Sequence, residues 1–332
     1  MKTFIIKTFL VFPMLILILF PPLVNAERFD SFQYKIIGDN TITITYCDRT
    51  ITEIILPSKI NGLSVSSIDT GSFMYCYNLK NVVIPNSVSF MGDCIFDNCT
   101  ALETITLSNN IVSIGDRAFY NCSSLSKITI PNAVTSIGNY AFFDCSKLAD
   151  IIIPDNITFI GAGAFSGCSS LKTAMIGKKV TNISDNLFSH CDNLTTITIP
   201  NSVKKIGYNA FSNCPALTTI KYDGTPAEWA EISIANGNDY LKNATIDYNI
   251  TTNTTIINNT LYITPVNIPI KSIVAIACYR ENLLTEVNFV TYDGSKTIIY
   301  TPNVSYDSVK ILIWKDLQTL TPLCNGEMPK RT

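Results

Sequence analysis

Apolar residues recur along this chain with a period of 23 residues. In each copy a cysteine stands three places after a phenylalanine, and a leucine three places after the cysteine. The phenylalanine column comprises Phe73, Phe96, Phe119, Phe142, Phe165, Phe188 and Phe211. The cysteine column comprises Cys76, Cys99, Cys122, Cys145, Cys168, Cys191 and Cys214. Columns that keep one register over seven copies predict a solenoid of seven coils over residues 62–222, with these side chains as its buried ladder.

Each coil contains one short alternating stretch that predicts a β-strand. In the third copy Leu125, Ile128 and Ile130 are apolar, and the residues between them are mostly polar. Side chains alternate across a strand, so the apolar set faces inwards and Lys127 and Thr129 face solvent. Successive strands are therefore expected to form a parallel sheet along the stack.

Most copies carry a glycine in the return path, directly after an isoleucine or a methionine. These glycines are Gly92, Gly115, Gly138, Gly161 and Gly207. The sequence predicts tight or left-handed backbone at these positions. Asp69 and Ser184 occupy the same place in two copies, which argues against a conformation that only glycine adopts.

Both ends of a solenoid need a cover, and the sequence predicts one on each side. Residues 27–61 are predicted to be an N-terminal cap that contains a hairpin, with its turn at Gly38, Asp39 and Asn40. Residues 223–249 are predicted to be a C-terminal cap. It contains a helix start, with Thr225 as N-cap and Glu228 three residues later, and Trp229 is expected to cover the last coil.

The repeat I-P-x-x-V-x-x-I-G-x-x-A-F-x-x-C-x-x-L-x-x-I-x-I resembles the BspA-like class of leucine-rich repeats over roughly residues 53–222. The resemblance implies a curved leucine-rich solenoid with a parallel sheet on its concave side. It also implies a bacterial or protist surface protein used for attachment or recognition. The usual asparagine position of leucine-rich repeats holds varied residues here, so no asparagine ladder is predicted.

Residues 250–332 have a different pattern, in which β-type runs are separated by turn residues. They predict a small antiparallel β-sandwich. The ending VKILIWKDLQTLTPLC resembles the closing strand of immunoglobulin-like accessory modules in secreted bacterial proteins. If this module contains a disulfide, Cys278 and Cys324 are the better candidates.

The first 26 residues have the pattern of a secretory signal peptide, with Lys2 and Lys7 before an apolar run and a cut expected after Ala26. The protein is therefore expected to be secreted or held at the cell surface, without a membrane span after cleavage. Only 15% of the residues are charged and the net charge is −2, which disfavours nucleic acid or an anionic membrane as partner. A monomer is expected.

No constellation of residues predicts catalysis, a metal site or a cofactor. His190 is the one histidine, and the column cysteines stand on different coils, unlike the converging ligands of a zinc site. A nucleophilic cysteine would need a base beside it, and six of the seven copies have no histidine. The outward carboxylates Glu103 and Asp150 stand two coils apart, so no acid/base pair for glycoside hydrolysis is predicted.

The outward positions of the predicted sheet are the candidate binding surface for an extracellular protein or glycan. The candidate contacts are Thr106, Lys127, Thr129, Asp150, Ile152, Lys172, Met175, Thr196 and Thr198. Ile152 and Met175 are apolar where polar residues are expected, which is typical of a contact surface. Two alternatives remain open. One is a structural spacer in a surface layer, and the other is glycan binding by the C-terminal module, with Tyr279, Tyr292 and Trp314 as candidates.

Overall fold

The computed structural model describes residues 27–248, 251–257, 260–266, 273–280, 283–292, 297–302, 308–314 and 322–327. The signal peptide predicted for residues 1–26 lies outside this description. The described chain forms a β-solenoid followed by two antiparallel sheets.

One row of parallel strands runs along the solenoid and is called the concave row here. Its strands are Glu53–Ile55 (β4), Asn81–Val83 (β7), Thr104–Thr106 (β9), Asp150–Ile152 (β12), Thr173–Met175 (β14), Thr196–Pro200 (β16), Thr219–Asp223 (β18) and Thr245–Asp247 (β20). The predicted alternation is confirmed: in β12, Ile151 is buried between exposed Asp150 and Ile152.

Shorter parallel strands form a second row on another side of the coils. They are Phe90–Met91 (β8), Ser113–Ile114 (β10), Ser136–Ile137 (β11), Phe159–Ile160 (β13), Asn182–Ile183 (β15), Lys205–Ile206 (β17) and Ser233–Ile234 (β19). Partners in both rows of the regular coils are 23 residues apart, as in the pairing of Asp150 with Thr173. The two rows and the turns between them enclose one apolar core.

The phenylalanine column is the spine of that core. All seven rings are fully buried, and neighbouring ring centroids are 5.1 to 5.7 Å apart. The seven cysteines beside them are equally buried. From the second rung onwards, each thiol donates a hydrogen bond to the carbonyl of the phenylalanine 26 residues earlier, as Cys145 does to Phe119.

The left-handed backbone positions are not the glycines that follow the isoleucines or the methionine, so that part of the prediction is wrong. Those glycines are needed because coils approach closely: a Cβ at Gly138 would lie 2.5 Å from the backbone nitrogen of Asp116. Positive φ occurs instead at two other columns, two residues before the phenylalanine and directly before the cysteine. The non-glycine members are Cys94, Arg117, Tyr140, Asn186 and Asn209 in the first column, and Tyr75, Asn98, Asn121, Asp144, His190 and Asn213 in the second.

The N-terminal cap extends the second row as a sheet. Its strands are Glu27–Phe29 (β1), Phe32–Gly38 (β2), Thr41–Cys47 (β3), Lys59–Ile60 (β5) and Leu63–Ile68 (β6). β2 and β3 form the predicted hairpin, and β3 pairs in parallel with β6. Lys35 on the hairpin forms an ion pair with Asp69 of the first coil at 2.7 Å.

The C-terminal cap has the predicted helix start. Helix α1 (Pro226–Ala230) begins with a capping box, in which the Thr225 side chain accepts from the backbone of Glu228 and the Glu228 side chain accepts from the backbone of Thr225. Trp229 packs half-buried against the core and meets the Tyr222 ring edge-on at 5.1 Å. Helix α2 (Asp239–Asn243) follows. Because β19 and β20 continue the two rows, this cap also adds a coil to the stack.

The C-terminal region consists of two antiparallel sheets. One contains Thr251–Ile257 (β21), Thr260–Val266 (β22) and Ile298–Tyr300 (β25), and the other contains Ile273–Arg280 (β23), Leu283–Thr291 (β24), Ser308–Trp314 (β26) and Pro322–Glu327 (β27). Residues from both sheets bury one small core, as expected of a β-sandwich. The immunoglobulin-like classification stays a prediction.

The strand register does not bring Cys278 and Cys324 together. Cys278 lies opposite Val309 of β26, and Cys324 lies opposite Ile313 on the far side of that strand. Two strand spacings and a four-residue offset separate the Cα atoms by about 16 Å. A disulfide needs about 4.4–6.8 Å, so this register does not support the pairing.

The stacked phenylalanines yield a stability prediction. Replacing Phe142 with Ala leaves a cavity between two rings and should reduce the free energy of unfolding by about 3–5 kcal/mol. Phe159, which is 53% exposed in the second row, is the matched control, and Phe159→Ala should cost less than about 1 kcal/mol. Urea unfolding followed by circular dichroism measures the free energy of unfolding of both variants. Equal losses would show that the buried phenylalanine column contributes no more to stability than an exposed ring.

Candidate ligand-binding surface

All nine predicted contact residues lie on or beside the concave row. Thr106, Lys127, Thr129, Asp150 and Lys172 are exposed. Ile152 and Met175 are 65% and 48% exposed and pair directly across β12 and β14. Thr196 and Thr198 on the next strand are half-buried. The structure therefore brings the residues from Asp150 to Thr198 onto adjacent strands and leaves Thr106 farther along the stack.

Polar side chains at the start of these strands bond to one another along the stack. Thr173 Oγ1 donates to Asp150 Oδ1 at 2.5 Å. Asn81 donates to Glu53 at 2.9 Å, and Thr104 donates to Asn81 at 2.7 Å. These bonds order the first outward column within each sheet, and the bonded pair Asp150 and Thr173 lies on the same two strands as the apolar pair Ile152 and Met175.

The concave row is interrupted at the third coil. The sheet of β4, β7 and β9 ends at Thr106, and the next sheet begins with β12, so residues 126–130 belong to neither. Elsewhere the strand ends are bonded between coils, as when Ile153 N donates to Met175 O at 2.9 Å. Among the described residues, the one backbone bond that joins 126–130 to a neighbouring coil is from Ala149 N to Ser126 O, at 3.4 Å.

Solvent reaches slightly further into the core beside this interruption. Ile105 and Ile128, the inward side chains of the second and third coils, are 9% and 7% exposed. Their equivalents Ile151 and Ile197 are 2% and 0% exposed. The sequence prediction of one continuous seven-coil sheet is therefore wrong at this coil, although the inward and outward alternation is kept.

A hollow of about 480 Å³ opens at the interruption. It is lined by the unpaired segment and by the strand that follows, including Lys127, Thr129, Asp150 and Ile152. Four of the predicted contacts therefore share one concavity, which also exposes main-chain polar groups. Groups of this kind can bind another main chain or a polar ligand.

A second hollow, of about 320 Å³, lies on the other side of the apolar pair. Met175 and Thr198 line it, together with charged residues that do not belong to the predicted contacts. These are Asp155, Lys178, Lys221, Asp223 and Asp247. Most of these residues stand just beyond the outward strand positions, where the chain turns out of the sheet. A charged residue at that place is the sequence signal that could have identified them.

His190, the one histidine, serves as a turn residue. Its φ is 58°, in the left-handed region that histidine, asparagine and aspartate adopt more readily than most residues. Its ring nitrogens lie 3.2 and 3.3 Å from Asn213 Nδ2, the equivalent residue of the next coil. Within the described ranges no group of three metal-ligating side chains is present, and no helix is long and apolar enough to cross a membrane.

A family model for the BspA-type leucine-rich repeat region, in six copies, matches residues 66–194 and 170–284. The chain belongs to the BspA-type leucine-rich repeat family. The 23-residue register of the columns, the two rows of paired strands and the family match all indicate the same repeat fold.

Two solved structures of leucine-rich repeat proteins are similar to this BspA-type chain. The T. pallidum leucine-rich repeat protein is 33% identical with a TM-score of 0.53, and the match covers 58% of this chain and 91% of that protein. A leucine-rich cell surface protein from Faecalibacterium prausnitzii A2-165 is 32% identical with a TM-score of 0.54. That match covers 72% of this chain but 58% of the other. No curated protein matches the chain.

The turn that contains Asp144 predicts a pH dependence of stability. Burial raises the pKa of the Asp144 carboxyl, and the charge of His190 partly offsets this. The folded state then binds the proton more tightly than the unfolded state, so the stability contributed by Asp144 falls as pH rises through its folded pKa. Asp144→Asn, which matches the asparagines of the same column, should become more stable relative to the wild type between about pH 4 and pH 7.

Urea unfolding of both proteins at the two pH values measures this difference. The exposed Asp192→Asn is the control. A relative stability of Asp144→Asn that stays constant or falls with pH contradicts the prediction.

The ladder thiols are predicted to be unreactive in the native protein. Burial raises the pKa of the Cys122, Cys145 and Cys168 thiols, so little thiolate is present at neutral pH. Dithionitrobenzoate should therefore titrate the ladder only after the protein is unfolded. Rapid reaction of several ladder thiols with native protein would be inconsistent with this packing.

Proposed function

We propose that this chain is a secreted or cell-surface recognition protein without catalytic activity, which binds a protein or glycoprotein ligand on its concave row. The family to which it belongs supports a repeat protein at a bacterial surface, and the similar F. prausnitzii protein is a cell surface protein by its description. Export would be directed by the segment predicted at residues 1–26.

The interruption of the concave row at residues 126–130 is the observation that supports this proposal most. The backbone donors and acceptors of residues 127–130 have no partner in a neighbouring coil, and they lie next to a hollow that Ile152 also lines. An extended polypeptide supplies both main-chain groups and side chains, so it is suited to such a surface.

The two hollows together define the size of the ligand segment. They extend from the coil of Lys127 to that of Asp247, which is five coil-to-coil steps. At about 4.8 Å per step the distance is about 24 Å, the length of roughly seven residues in an extended chain. Ile152 and Met175 lie between the hollows, each lining one of them, and would be the central apolar anchors.

The charged residues of the second hollow would set orientation more than affinity. Three carboxylates and two lysines line it. A ligand with a charged residue at one end would therefore bind in one orientation. Exposed ion pairs contribute little energy but select partners and register.

The binding test uses substitutions on the two faces of the solenoid. The wild-type chain is first screened against an array of purified extracellular proteins and a glycan array. For a protein found to bind, Ile152→Asp with Met175→Asp should weaken the affinity about 30-fold or more, because both anchors become charged. Phe159→Asp, equally exposed but in the second row, should leave the affinity unchanged.

Two results would contradict the proposal. An affinity that is unaffected by the double substitution would place the contact elsewhere. Binding of glycans alone, retained by the double variant, would favour the C-terminal module. There, Tyr292 packs partly against the module's own core, and the side chain of Trp314 lies outside the described residues.

A further inference from the structure

The first rung of the thiol column differs from the others in its partners. Six thiols, from Cys99 to Cys214, donate to the carbonyl of a phenylalanine 26 residues earlier, at 3.1–3.2 Å. The position 26 residues before Cys76 is Thr50, an exposed residue of the cap turn. Cys76 therefore has no phenylalanine carbonyl to which it can donate, and its thiol instead meets the thiols of Cys47 and Cys99.

Cys47 reaches Cys76 because the end of β3 is bonded to the first coil. The backbone nitrogen of Cys47 donates to Ser72 O at 2.8 Å. Ser72 Oγ in turn donates to Ile44 O of β3 at 2.9 Å. The same turn continues to Cys76, and both cysteines are buried, with 1% and 0% exposure. The cap thus places the Cys47 thiol at the end of the cysteine column, beside Cys76.

We propose that Cys47 and Cys76 form a disulfide bond when the protein matures in an oxidising compartment, which fastens the N-terminal cap to the first coil. The two cysteines belong to different elements, a cap strand and a coil turn, so the bond would link the cap covalently to the solenoid. Pairing of Cys76 with Cys99 is disfavoured because the Cys99 thiol already donates to the Phe73 carbonyl at 3.1 Å.

The oxidation is a thiol–disulfide exchange with an external disulfide, either a thiol oxidoreductase or a low-molecular-weight disulfide. The thiolate of one cysteine attacks the donor and forms a mixed disulfide, and one donor thiolate leaves. The other cysteine, deprotonated, then attacks the protein sulfur of the mixed disulfide and releases the second donor thiolate. In total the protein loses two protons and two electrons, and the donor disulfide is reduced to two thiols.

Cys47 and Cys76 are both buried in the assembled cap, so a donor disulfide would not reach either sulfur there. The exchange would therefore take place before the cap hairpin has docked, and the docked hairpin would then enclose the bond.

The test uses the full chain, refolded in a mixture of reduced and oxidised glutathione. After unfolding without reductant and blocking of thiols, peptide mass spectrometry should find a Cys47–Cys76 cross-link. The free-thiol count should be two below the chain's eleven cysteines. Reductant should lower Tm by about 5 °C or more. Cys47→Ala and Cys76→Ala should each lose that response, while the control Cys122→Ala should keep it.

Three findings would overturn the proposal. They are a full count of eleven free thiols, a cross-link of Cys76 to Cys99 instead, or a Tm of the refolded wild type that does not change on reduction. Because the cross-link and the thiol count are read on the wild-type chain, the proposal remains testable even if a variant fails to fold.

Discussion

A single coil of this protein cannot bury its own apolar side chains, and the rest of the structure follows from that constraint. Each of the five inner rings of the phenylalanine column, from Phe96 to Phe188, has one face against the ring before it and the other against the ring after it, at 5.1 to 5.7 Å between centroids. Removal of apolar surface from water therefore depends on the neighbouring coils, and stability accumulates along the stack. The same constraint explains why both ends are covered, by a hairpin sheet on one side and by Trp229 on the other.

Fixing the interior leaves the outer positions free to vary, and these positions carry the differences between coils. The inward columns repeat almost without change, whereas the outward column of the concave row changes from Thr129 to Ile152 to Met175. The hydrogen-bond ladder is intact around Met175 and absent around Thr129. A uniform core thus leaves the outward positions free to differ from one coil to the next, as the proposed binding site requires.

Much of the fold could be predicted because it depends on side chains at fixed spacing. The phenylalanine and cysteine columns, the alternation around Ile151 and the capping box at Thr225 are all local or strictly periodic signals. The interruption at 126–130 was not predictable, because the third coil has the same apolar pattern as its neighbours and differs only in how closely its backbone approaches them. The left-handed positions were misplaced because tight coil-to-coil approach and positive φ both favour glycine. The pair formed by Cys47 and Cys76 was missed because Cys47 lies outside the repeat register.

The proposed binding site depends on the interruption of the concave row. Hydrogen–deuterium exchange of the free protein tests this interruption most directly. Amides in residues 127–130 have no backbone partner in a neighbouring coil, whereas those in residues 173–176 are bonded within the sheet or to a neighbouring coil. We expect the first group to exchange at least about tenfold faster than the second. Equal protection of the two segments would mean that the sheet is continuous and would remove the main support for a binding site at this coil.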